Sequence, residues 1–179
     1  MNKKDIVKVL CTKRAAVFAL MLILSAVCMV VIFGFSSQAA NESATHSNRV
    51  TDYVVKLINA EHEKPEKYNP KDLYYRVDTV VRKLGHFLIF ALLGVLTYFA
   101  VKNFPLISRI GVAPEKLSVL LSVLYAVSDE LHQTLVKGRS GRVGDVIIDT
   151  AGVVIGTIAA ISIEKNLRKK HTSVREVKK

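Results

Sequence analysis

The chain has 179 residues, half of them hydrophobic, with 26 Lys+Arg against 15 Asp+Glu and a formal net charge of +11. That length suits one domain, and a mean hydropathy of +0.29 with no Trp and 4 Pro excludes a disordered or low-complexity chain. The basic surplus sits at the ends, 5 cations in the first 14 positions and 7 in the last 15, so the pattern excludes a nucleic-acid-binding domain and predicts a polytopic membrane protein.

Residues 1–14 form a basic N-terminus carrying Cys11, and 15–35 are 21 residues without a charge, about 31 Å of helix. Ser37-Gln38-Ala39 has the small-residue spacing of a signal cleavage site. The apolar run nevertheless exceeds the roughly 7–15 residues of a signal core, so it reads as an uncleaved anchor. Cys28 lies inside this run, and two cysteines make no disulfide framework, so both read as unpaired thiols. Segment 36–83 holds eight cations and seven acids and reads as an outer helical loop. Within it, Val50, Tyr53, Val54, Leu57 and Ile58 follow helical spacing, an amphipathic helix suited to a membrane surface. Asn69-Pro70 reads as an N-cap followed by Pro at N1, and Leu73, Val77, Val81 and Leu84 carry the period into a second span at 84–101. A third span is predicted over 115–136, opened by Pro114, and a fourth over 145–163, before a basic tail at 164–179.

The expected architecture is therefore all-α, a four-transmembrane-helix bundle in the plasma membrane. Basic residues at both ends place the N- and C-termini in the cytoplasm, which an even number of spans requires. Lys137, Arg139 and Arg142 then fall on the outer side, against the topological bias, and cations that resist it call for a local role.

In this topology three polar clusters reach one depth. Arg82, Lys83 and His86 open the second span. Asp129, Glu130, His132 and Gln133 close the third. Arg139, Arg142, Asp145 and Asp149 lie in the last outer loop and the first turns of the fourth. Asp129, His132 and Gln133 share one helical face, with Glu130 about 100° round from it. Asp149 shares a face with Gly152 and Gly156, a GxxxG pair that lets another helix approach closely, within the chain or from a second copy as a homodimer. Intramembrane carboxylates cost roughly 2.5–3.5 kcal/mol each at a helix centre, so such a set persists as interhelical ion pairing or as a site.

Together these pieces resemble the VanZ-like membrane family. The resemblance rests on RKLGHF followed by LLG at 92–94, SDELHQ, Gly138-Arg139 with Asp145 and Asp149, and FSSQ at Phe35–Gln38. Here Lys137 stands where Pro commonly precedes the Gly-Arg pair, Asp149 where Asn is usual, and Phe90 where Tyr is frequent. The resemblance implies an integral protein of the bacterial envelope, in a family named for resistance to glycopeptide antibiotics such as lipid-tailed teicoplanin. It brings no settled reaction. The spacing Arg139-x5-Asp145-x3-Asp149 is also similar to the Arg-x5-His-x3-Asp segment of membrane phosphatidic-acid phosphatases, with Gly85-His86 echoing their Gly-His acid.

Three functions fit these residues. The first is noncatalytic binding of an envelope lipid, a lipid-linked intermediate or a lipid-tailed antibiotic, with Arg82, Lys83, Gln133, Arg139 and Arg142 as ligand-binding groups. The second is a hydrolase or transferase on a lipid-linked headgroup using His86, Asp129, Glu130, His132, Asp145 and Asp149. No cofactor is required by either, although a divalent metal on Asp129, Glu130, Asp145 and Asp149 would suit the second. The third is an ion path, the least favoured because the polar residues crowd one face of the membrane.

Overall fold

The computed structural model describes residues 3–37, 49–58, 70–136 and 141–177. Among them every element is helical: α1 (Lys3–Ser36), α2 (residues 49–58), α3 (Pro70–Asn103), α4 (Ile107–Ile110), α5 (Pro114–Gln133) and α6 (Val143–Val177). Arg139 and Lys137, like Asn69, lie outside the described residues.

Three helices are long and apolar enough to cross a membrane: Thr12–Ser36 in α1, Lys71–Asn103 in α3 and Val143–Lys169 in α6. The third expected span, α5, is not among these three. Its 20 residues carry Glu115 and Lys116 at one end and Asp129 and Glu130 at the other, which shortens the apolar run between them. Helix α3 runs unbroken from Pro70 into the span, as the period from Leu73 to Leu84 predicts. Its 34 residues extend about 51 Å, well beyond a hydrocarbon core of roughly 30 Å, with the charged turns at its N-terminal end. There the Tyr74 hydroxyl lies close to Asp52 of α2. Helix α2 buries Thr51 and leaves Val50, Tyr53 and Leu57 exposed, so its apolar stripe faces away from the bundle.

The long helices alternate in direction. Helix α4 turns the chain between α3 and α5, closed by Gly111 at φ 71°, a left-handed position that glycine adopts without a Cβ clash. The most extensive contact is α3 against α6, followed by α1 against α3. Small residues set the first. A Cβ on Gly152 would collide with the Phe87 carbonyl, one on Gly156 with the Ala91 carbonyl, and one on Gly94 with the Val153 backbone. The close-packing face read at Gly152 and Gly156 thus lies inside the chain, against α3.

Helix α5 is built the other way round from a helix in a soluble protein. Its buried residues are Ser118, Ser122, Ala126, Asp129, Glu130 and Gln133, while Leu120, Leu121, Leu124 and Leu131 are exposed. The buried centre of the bundle is apolar, formed by Cys28, Ile32, Phe90, Leu93, Ala126 and Val153. One level further in, the Thr97 and Ser122 hydroxyls bond at 2.9 Å, and Thr157 donates to the Val153 carbonyl at 2.9 Å. At the α4 end, Glu164 accepts from Tyr98 at 2.8 Å and pairs with Lys102 and with Arg168. Glu164, the first residue of the expected basic tail, stands at i, i+4 from Arg168, the spacing of a helical ion pair.

Candidate functional site

The other end of the bundle gathers the expected site residues from α3, α5 and α6 and adds α1, which sequence reading left out. Ser36 is fully buried and donates from Oγ to Asp129 Oδ2 at 2.8 Å. Gln133 Nε2 donates to the same oxygen at 3.1 Å, one turn along α5. Asp129 is 3% exposed, and its other oxygen, Oδ1, is buried with no hydrogen-bond partner among the described residues. A buried carboxylate with one oxygen doubly bonded and the other vacant is an acceptor waiting for a donor.

Beside it, His132 Nε2 and Ser37 Oγ stand 3.1 Å apart, and the imidazole stacks on Phe33 with ring centres 4.5 Å apart. Ser37 also donates to the Phe33 carbonyl at 2.6 Å. Both serines belong to the FSSQ segment, whose place at the end of the first span was the signal for their role. Asp129, His132 and Gln133 share a face as their spacing requires, and that face meets the C-terminal end of α1.

Glu130 does not turn away. It is buried, and its Oε1 accepts the Arg142 backbone N–H at 2.5 Å. The Arg142 carbonyl in turn receives the Asp145 amide at 2.9 Å, which makes Arg142 the N-cap of α6. Glu130 therefore caps a neighbouring helix at its electropositive end. Gly141 sits tightly against Thr134 and the Glu130 carbonyl at the end of α5. The Arg142 side chain is exposed, at the rim.

From α3, Lys83 Nζ meets Asp145 Oδ1 at 2.5 Å, a half-exposed pair joining α3 to α6. His86 Nδ1 faces Asp149 Oδ2 at 4.0 Å, too long for a hydrogen bond, with Asp149 2% exposed. Arg82 does not enter this pair. It turns back one helical turn to Asp78 at 3.0 Å, an i, i+4 partner that sequence reading passed over. Its Nε is buried with no partner among the described residues.

The two halves of the site adjoin through α6, whose Arg142 amide meets Glu130 and whose Asp145 and Asp149 face Lys83 and His86. Asp129, Glu130 and Asp149 are buried, while Lys83, Asp145 and Arg142 lie nearer the surface. Each acid aims at a different partner, and no group of three or more His, Cys, Asp or Glu among the described residues is placed to hold a metal ion. The carboxylates read as a divalent-metal set do not form one ligand shell. Nor do the polar groups cross the bundle among the described residues: Phe90, Leu93, Ala126 and Val153, all fully buried, separate the site from the Thr97–Ser122 level.

No curated protein and no solved structure matches the chain. A protein family does, and its match takes in every residue of this site, leaving out only the N-terminal turns of α1 and the C-terminal turns of α6 among the helices. Residues 21–164 match the family described as VanZ/LLP1, and the chain belongs to that family.

Proposed function

We propose that this is a multi-pass plasma-membrane protein of the bacterial envelope that binds an amphiphile at the outer end of its helix bundle. The ligand is an envelope lipid, a lipid-linked intermediate or a lipid-tailed glycopeptide antibiotic, and capture contributes to antibiotic resistance or envelope homeostasis. Helix α5 serves as the fourth span and both termini are cytoplasmic. What supports the fourth span is its inverted surface, with leucines outside and hydroxyls and carboxylates inside, stable only when hydrocarbon surrounds it. With Cys11→Ser and Cys28→Ala as background, Leu135→Cys at this 83%-exposed position should react with an impermeant thiol reagent from outside only. Labelling from the cytoplasmic side would invert the topology.

The observation that carries the binding reading is the buried Asp129 Oδ1, with no hydrogen-bond partner among the described residues, at the bundle end that also carries Lys83 and Arg142. A ligand with a hydroxyl, amide or ammonium donor for Asp129 and a phosphate or carboxylate for the rim satisfies both. In nanodiscs, Arg142→Ala and Lys83→Ala should each weaken capture of a phosphate-headed lipid about tenfold, the worth of one charge-assisted hydrogen bond, and more salt should weaken the native protein too. Unchanged capture in both variants would remove the rim from the site.

One contact favours a second reading, a hydrolase or transferase on a lipid-linked headgroup. Ser37 and His132 stand within reach for a nucleophile and its base. Released headgroup, measured in the same nanodiscs, distinguishes the two: turnover lost in Ser37→Ala assigns catalysis, and capture without release assigns binding.

A further inference from the structure

Between α1 and α3 runs a lipid-facing groove of about 350 Å³, lined by Leu24, Val27 and Val31 on one side and Ile89, Leu92 and Leu96 on the other, with Cys28 at its base. We infer that this groove holds one hydrocarbon chain of the lipid whose headgroup occupies the polar site above it. The inference rests on the binding reading and adds to it where the tail lies.

Three observations carry it. The first is position. Ile89 lies three residues from His86 on one face of α3, and Val31 lies five before Ser36, so the groove begins about one turn below the site. From there it descends seven residues along each helix, about 10 Å, a third of a hydrocarbon core. The second is chemistry. Every lining residue is apolar, and the Cys28 thiol is turned to the Ile89 carbonyl at 3.7 Å, leaving no polar demand on an occupant. The third is size. The volume stands at the low end of small-ligand pockets of roughly 300–1,000 Å³, and is far too narrow for another helix about 10 Å across. A single chain fits; a transmembrane segment of a second copy does not.

The bilayer also limits what the groove can contribute. Moving a chain from neighbouring lipid into an apolar groove gains packing rather than hydrophobic transfer, because lipid tails are as apolar as leucine. The groove therefore selects by shape and by tethering a chain whose headgroup is already held. It sets which tails are accepted and where the headgroup hangs.

The test uses the full chain in nanodiscs and a single-chain lipid phosphate with a photoreactive diazirine at mid-chain, alongside the same lipid with the diazirine on its headgroup. Mid-chain adducts should concentrate on the segments 24–31 and 89–96 and fade with excess unlabelled lipid. Headgroup adducts should fall on 83–86, 129–133 and 142. Val27 and Leu92 are 53% and 51% exposed, so Val27→Phe with Leu92→Phe fills the groove without touching the core. That variant should lower mid-chain adducts about tenfold and leave headgroup labelling by a four-carbon analogue within twofold. Mid-chain adducts spread evenly over the lipid-facing helices, joining two copies, or unmoved by the filled groove would overturn the inference while headgroup labelling keeps the site. Loss of headgroup adducts in the native protein would remove the binding reading and the groove's ligand together.

Discussion

Gly156→Leu is expected to be the most damaging single substitution in the membrane bundle. Even the first atom of a side chain there would fall on the Ala91 backbone, which cannot rotate aside as a side chain would. Helices α3 and α6 must then separate or shift along one another. Overpacking of this kind costs about 1–3 kcal/mol for a small insertion, and a leucine against backbone exceeds that range. The site suffers with the fold, because Lys83–Asp145 and His86–Asp149 both bridge the same two helices. The measurement is the fraction surviving heating in detergent, followed by gel filtration. Gly85→Ala and Gly144→Ala are the controls. Neither meets any atom within 4 Å, so replacing a helical glycine should be neutral or stabilise by up to about 1 kcal/mol. Equal damage at Gly85 and Gly156 would refute the close-packing account.

Asp129→Ala is expected to have the largest effect on ligand capture. Ser36 Oγ and Gln133 Nε2 both give hydrogen bonds to Asp129 Oδ2, so alanine takes the acceptor from the buried Ser36 hydroxyl, at about 1–3 kcal/mol, and leaves Gln133 with the longer bond to Ser36 Oγ at 3.4 Å. It also removes Oδ1, the vacant acceptor proposed to meet the ligand. Capture should fall by well over tenfold, alongside a lower unfolding temperature. Asp129→Asn separates the two effects. An amide oxygen still accepts from Ser36, so most of the stability should return, while capture returns only if the ligand's donor is uncharged. An Asp129→Ala protein that binds as tightly as the native chain would leave Asp129 as packing between α1 and α5.

The contrast between those two residues shows how the sequence carries each kind of information. Gly156 was legible from spacing alone, because a GxxxG pair on the Asp149 face is a local pattern with one physical use, close helix approach. The role of Asp129 was legible only in part. Its place on a face with His132 and Gln133 follows from the 3.6-residue period, but its partner Ser36 lies 93 positions earlier. Glu130 illustrates the limit from the other side. Angular position placed it off the shared face, yet the returning loop carries the Arg142 amide to it, a meeting set by the α5–α6 connection. Arg82, expected among the ligand-binding groups, pairs instead with Asp78, a carboxylate one turn away on its own helix.

The sequence by itself determined that this is an all-helical chain built for a membrane. Long uncharged runs, clustered terminal cations and period-3.6 stripes are properties of neighbouring residues and need no tertiary contact to act. It also determined that charged residues would gather at one end of the bundle, since helix direction alternates and each cluster sits at the end of a helix. Only the tertiary structure decided which acid meets which cation, that α1 closes the site through Ser36 and Ser37, and that an apolar layer seals it from the hydroxyls beneath. Those outcomes depend on rotation and depth between helices. Such quantities are fixed by how α3, α5 and α6 pack against one another, and no single segment encodes them.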